Sequence, residues 1–182
     1  MNMVFRNVFL IVACISLAFT FSCKQKKQKQ KKVITREMLL EHNRNLVDLE
    51  NKVIRDYLDT IGIEMQQSKT GLWYKIDSDS VGETAREKDM VHLNYKIMLM
   101  DSAVCYSSEK NGMWSFEVGK GSVETGIEEG ILLMSEGDEA SFILRPNMAH
   151  GLSGDGDRIP GRAILLYQLE LIKIDRSEHK SE

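Results

Sequence analysis

The chain has 182 residues, 42% of them hydrophobic, and a formal net charge of −3 at pH 7, enough for one domain with additions and one apolar core. The charge is unevenly spread. Residues 24–32 carry six lysines and no acid, whereas residues 33–182 hold 17 basic and 27 acidic side chains, a net of −10 that argues against any nucleic-acid partner.

At the N-terminus Arg6 precedes an apolar run from Val8 to Phe21, the length of a signal-peptide core and short for a stable span. The run ends at Thr20-Phe21-Ser22-Cys23, and the lysines follow at once. This resembles a bacterial lipoprotein signal, with Thr20 where leucine is usual. The resemblance implies cleavage behind Ser22 and acylation of Cys23, ahead of an uncleaved anchor or a plain secretory peptide. Residues 1–22 then form the signal and residues 23–33 a lipidated tether whose lysines attract anionic head groups. The implied location is periplasmic and lipid-anchored to a membrane, the outer one favoured.

Thr35 can cap a helix in which Leu39, Leu46, Leu49, Val53, Tyr57 and Ile61 recur at three- and four-residue intervals. Docking on its own domain, or spacing it from the membrane, is favoured over a coiled-coil dimer seam, because His42 or Asn43 interrupts the heptads. Gly62 and the polar Glu64–Thr70 stretch mark the hinge that closes this segment, residues 34–67.

From Gly71 the chain reads as β-rich. Val91, Leu93, Tyr95, Ile97 and Leu99 alternate with polar neighbours, as do Ala140, Phe142 and Leu144, and Ala163 through Leu171 form one face of a long last strand. Trp73–Ile76 and Trp114–Val118 supply two more strands. Between them lies the most informative stretch, Gly119 to Gly130, in which Gly119 and Gly121 permit positive φ and Gly126 permits close backbone approach. Ile127, Ile131, Leu132 and Met134 then recur at helical spacing, and Val123 sits in the turn with backbone free to line a cavity. The expected class is α+β, an antiparallel sheet curled around a short helix and preceded by an amphipathic helix.

Catalytic groups of the usual kinds are not evident. Of three cysteines, Cys105 alone falls in the folded part, and it reads as a small buried residue. The four histidines have no second ligand at metal spacing, and Gly154-Asp155-Gly156-Asp157 lacks the distal glutamate of a calcium loop. No metal and no cofactor are expected.

Residues from about Gly71 to Ile174 resemble the FKBP-type peptidyl-prolyl cis-trans isomerases. The resemblance rests on Asn94-Tyr95, Ser107-Ser108, Phe116-x-Val118-Gly119, Val123-x-x-Gly126-x-Glu128-Glu129-Gly130, Met134-Ser135-x-Gly137, Pro146-x-x-Ala149-x-Gly151 and Ile159-Pro160. It implies an FKBP-like domain over residues 68–175, followed by a polar tail, residues 176–182. With the leader and the helix, the whole chain is similar to the lipoprotein FKBPs associated with gliding motility in some Gram-negative bacteria.

What the resemblance implies about the site is specific. Tyr95 forms one wall, and the amide after Val123, that of Glu124, meets the substrate carbonyl. Ile127 takes the place of the tryptophan floor, Cys105-Tyr106 replaces a phenylalanine–aspartate pair, and His150 replaces the tyrosine of Ala-Tyr-Gly. Trp114, Phe116 and Tyr167 match the aromatic lining, for which ordinary core packing is the competing reading. The implied partners are proline-containing polypeptides, the membrane through Cys23, and components of an envelope machine. Two functions stand: an isomerase assisting envelope-protein folding, and a catalytically weak FKBP-fold chaperone or assembly factor.

Overall fold

The computed structural model describes residues 34–77 and 82–176, so the signal, the tether and Cys23 lie outside the described residues, as does the tail from residue 177. The chain divides into two units at Leu39 and Leu40. In the first, the Met38 amide donates to Thr35 Oγ1 at 3.3 Å, the capping bond that Thr35 predicts. No helix among the described residues is long and apolar enough to cross a membrane.

Helix α1 covers Arg36–Ile61. Then come β1 (Gln66–Gln67), β2 (Trp73–Asp77), β3 (Met90–Leu99), β4 (Val104–Ser107), α2 (Ser108–Asn111), β5 (Trp114–Glu117), α3 (Thr125–Ile131), β6 (Glu139–Leu144), a 3-10 turn (Pro146–Met148) and β7 (Leu165–Asp175). The strands form one sheet in the order β1-β2-β6-β7-β3-β4, with β5 also on β3. Every pairing is antiparallel. Both β4 and β5 share one edge of β3: β5 takes Met90–Leu93 and β4 takes Lys96–Met98.

Helix α3 lies against the sheet because two of its glycines leave room. A Cβ on Gly126 would sit 2.6 Å from the Leu144 side chain, and one on Gly130 would sit 2.5 Å from the Phe142 ring. Ile127, Ile131 and Met134 enter the core with Val91, Leu93, Phe142, Leu144 and Tyr167. Burying side chains of this size contributes about 1.5–3 kcal/mol each.

Four expectations need correction. In α1 the buried residues are Ile54 and Leu58, packed on Trp73 and Ile143, whereas Leu49 and Val53 of the expected stripe face solvent. Helix α3 ends at Ile131, and Leu132 is exposed, because the chain turns there to bury Met134. A bulge at Ile97/Met98 buries Met98 and leaves Leu99 half-buried, ending the strict alternation. Finally, β7 starts at Leu165 and runs on to Asp175, drawn out by pairing with Met90–Leu93. Strands β1 and β4 and the single-turn α2 are too short or too polar to have shown a periodicity.

Candidate active site

The site is assembled from β3, β5, the glycine loop and the segment after the 3-10 turn. Register places Trp114 opposite Leu93, next on that face to Tyr95. The Tyr95 and Trp114 rings stack with centroids 4.1 Å apart and planes 19° from parallel. Burial raises the Tyr95 pKa, with Trp114 opposing.

After β5 the backbone turns through Gly119 and Gly121, at φ 86° and 67°. Their amides donate to the two Glu128 oxygens at 2.6 and 2.8 Å, so a side chain in the first turn of α3 clamps the loop leading to it. The clamp fixes Val123 and sets Glu124 at the helix N-cap with extended backbone, φ −60° and ψ 145°. The first amides of a helix have no intrahelical acceptor, so this end offers donors to a carbonyl.

Below the loop, Cys105, Phe116, Ile127 and Tyr167 are buried in one cluster, with Tyr106, Trp114 and Val123 half-buried against it. Ile127 and Tyr167 are both 0% exposed. The structure thus brings these apolar candidates together. Met148, buried beside them, was not singled out from the sequence. A hollow of about 470 Å³ opens beside the wall, lined by Trp114, Ser115, Phe116, Ser122, Val123 and Glu124. Another, of about 420 Å³, lies along Asn94, Tyr95, Lys96, Gln168 and Glu170, and its lining is chiefly polar.

The rim is polar. His150 Nε2 lies 2.8 Å from Glu124 Oε1, the two side chains being 26% and 13% exposed. Tyr106 donates to Asp155 Oδ2 at 2.5 Å, and the Arg158 guanidinium lies 5.4 Å from the centre of the Tyr106 ring. That bond to Asp155 is the main reason Tyr106 is pushed up to about 12. The same bond chiefly holds Asp155 down to about 2, with His150 adding a smaller effect. Arg158 also donates to the Cys105 carbonyl at 2.9 Å.

Asp155, Arg158 and Glu128 complete the site although the sequence did not single them out for it. For Asp155 and Arg158 the Gly154-Asp155-Gly156-Asp157 run was the nearest signal, read only against calcium, and Glu128 stood in the glycine-rich motif. Instead Asp155 Oδ1 accepts from the Asp157 and Ile159 amides at 2.9 and 2.8 Å, which makes it the brace of a turn.

Two buried groups define the chemistry. Burial pushes the Cys105 thiol up, with Asp155 and Asp101 adding to it, so the thiol is a poor nucleophile. The Tyr167 hydroxyl is buried with no hydrogen-bond partner. Burial raises its pKa first, and the Glu124 carboxylate adds to the shift. Among the described residues no cluster is suited to a metal ion. The site offers an aromatic wall, an apolar floor, backbone donors and a polar rim.

Comparisons with known proteins bear on the family and the fold. Residues 82–172, half of the chain, match the FKBP-type peptidyl-prolyl cis-trans isomerase family. A probable FKBP-type peptidyl-prolyl cis-trans isomerase FkpA of Neisseria meningitidis serogroup B is 34% identical over 116 residues, covering 63% of this chain and 42% of the relative. The chain thus spans less than half the length of that relative. The crystal structure of AtFKBP13 superposes with a TM-score of 0.59 at 27% identity, over 61% of this chain and 98% of that one. FkpA from Escherichia coli superposes with a TM-score of 0.61 over 91% of this chain and 81% of that one; at 22% identity the likeness is one of fold.

Proposed function

The chain belongs to the FKBP-type peptidyl-prolyl cis-trans isomerase family, and from that premise we propose that it is an exported isomerase that accelerates cis–trans interconversion of X-Pro bonds. The observation that carries this reading is the stacked Tyr95–Trp114 wall beside the Val123–Glu124 turn, above Ile127 and Tyr167. Peptide rotation has a barrier of about 18–20 kcal/mol because twisting destroys C–N resonance, and the twisted amide is less dipolar than the planar one. An apolar enclosure that takes up the proline ring favours the twisted form. The Glu124 N–H steadies the carbonyl as it turns, so stabilisation is greatest in the transition state. Neither a nucleophile nor a metal takes part in this route.

The leader extends the proposal. An apolar run ending at Ser22-Cys23, then six lysines, supports acylation of Cys23 and a tether holding the domain at a membrane, the outer membrane favoured. Clients there are envelope proteins whose folding waits on X-Pro isomerisation, which takes tens to hundreds of seconds unaided. The combination of leader, helix and domain is similar to gliding-motility-associated lipoprotein FKBPs, and supports work beside an envelope machine. A second reading, a catalytically weak chaperone or assembly factor, is favoured by one observation: Ile127 and Tyr167, the expected floor, are both 0% exposed.

A protease-free isomerisation assay on the full chain in mild detergent separates the two. The isomerase reading predicts saturable acceleration, and Trp114→Ala lowers kcat/KM by about tenfold through loss of the stacked wall. Peptide binding without acceleration selects the chaperone reading.

A further inference from the structure

Helix α1 holds the domain with only part of its surface. Ile54 and Leu58 pack on Trp73 and Ile143, with Tyr57 half-buried beside them. Asn51 accepts from the Trp73 indole at 3.3 Å and from the Gln67 amide at 3.0 Å. These contacts lie in the second half of the helix. Leu46, Leu49 and Val53, spaced by three and four residues, form a separate stripe, about 130° round the helix from Ile54 and Leu58 at 3.6 residues per turn. Leu46 is half-buried, but Leu49 is 59% exposed and Val53 42%, so docking leaves most of this stripe to solvent.

The charges of the helix are set away from the stripe. Glu41, Arg44, Asp48 and Arg55 are exposed and fall on the opposite side of the helix. Asp56, which borders the stripe, is paired with Lys52 at 2.6 Å. Glu50 lies on the side toward Ile54 and is half-buried, and burial pushes its carboxyl up against the opposing pull of Arg145 and Arg162. It therefore belongs to the docked face.

The chain ahead of the helix points to what covers the stripe. Residues 24–35 separate Cys23 from α1, a reach of at most about 40 Å. This stretch holds six lysines and no acid, so it is drawn to anionic head groups. A helix at the end of such a tether is delivered to the bilayer surface at high local concentration, where an apolar stripe enters the boundary between head groups and acyl chains. A second copy of the chain fits less well. A coiled coil needs about three to four apolar heptads, whereas this seam meets His42 before Leu46 and Asp56 after Val53.

We infer that α1 lies along the surface of an anionic bilayer, with Leu46, Leu49 and Val53 set among the head groups while Ile54 and Leu58 keep the domain docked on another face. The inference rests on the lipoprotein reading of Cys23 and adds an orientation to it: the domain is carried on a helix fixed at the membrane and does not swing on a flexible tether. The acids Glu41 and Asp48 then face away from the anionic surface, where they are repelled least. The helix lies on the membrane and does not span it, as its hydropathy requires.

The test uses the full chain, purified from membranes and reconstituted in vesicles of phosphatidylcholine and phosphatidylglycerol. A photoreactive p-benzoylphenylalanine replaces Leu49, Val53, Asp48 or Arg55, one at a time. Illumination should give several-fold more lipid adduct at Leu49 and Val53 than at Asp48 and Arg55, and the excess should shrink when phosphatidylglycerol is left out. Leu49→Asp should bring the adduct at Val53 down to the level at Arg55. Equal adducts at all four positions overturn the inference. Protein–protein adducts at Leu49 and Val53 overturn it too, and assign the stripe to a second copy. Mass spectrometry of the same chain reads Cys23 separately. An unmodified Cys23 removes the lipoprotein reading by itself, and the adducts still judge the helix: an excess at the stripe supports its place on the bilayer, and equal adducts overturn it.

Discussion

Asp155 and Tyr106 show how a residue pair can be built yet nearly invisible in a sequence. They are 49 positions apart, and only the fold places the phenol on the carboxylate. The folded Asp155 is held at about 2, chiefly by the Tyr106 hydroxyl, against an ordinary unfolded value of ~3.9. The lowered value means the pair's contribution is fully present above the unfolded pKa and is lost as pH falls from ~4 through about 2. An NMR titration of the Asp155 carboxyl carbon should give a midpoint near that value, and Tyr106→Phe should move it up toward the ordinary range. Tyr167 gives a second check. Because its buried hydroxyl has no partner within hydrogen-bonding geometry, Tyr167→Phe should raise stability by ~1 kcal/mol in urea unfolding. Ile127 gives a third: at 0% exposure there is no room for an added ring, so Ile127→Trp should overpack and cost about 1–3 kcal/mol by the same measurement. Val123 and Ile127 were legible because a short glycine-punctuated motif carries them, and Tyr95 and Trp114 because they sit in strands that the sequence marks. The Glu124–His150 contact was not, since a tertiary approach between two loops leaves no periodic trace.

Among the elements, α1 was legible as a helix but not in the way it docks. Its apolar residues recur often enough to define more than one face, and periodicity alone cannot choose between them. Trp73 on β2 and Ile143 on β6 choose Ile54 and Leu58. Ile54→Ala should therefore cost about 2–5 kcal/mol in urea unfolding. Leu49→Ala, at a position 59% exposed, should stay within ±0.5 kcal/mol. Equal effects at both positions would mean that α1 does not pack through this face. Helix α3 is the reverse case: Gly126 flagged close approach correctly, and the structure extends the same constraint to Gly130. A methyl there would meet the fully buried Phe142 ring, so Gly130→Ala should lower the melting temperature despite alanine's ~1 kcal/mol advantage in a helix.

Taken as a whole molecule, the chain joins a folded, acidic FKBP domain to a short lysine-rich segment and an apolar N-terminal run. The domain's strands were legible where alternation was long, as in Val91–Ile97, and lost where a strand had only a few residues, as in Val104–Ser107. For the leader, Cys23→Ser should release the protein from membranes on fractionation, and unchanged fractionation would remove the lipid anchor from the proposal. The central claim is that an X-Pro segment binds between the stacked aromatic wall and the start of α3. An NMR titration of the chain with a proline peptide tests it most directly. The account predicts that the Glu124 amide and the Trp114 indole shift furthest and saturate together. Saturable binding whose shifts fall instead on the outer sheet face, around Asn94, Lys96 and Glu170, would contradict it.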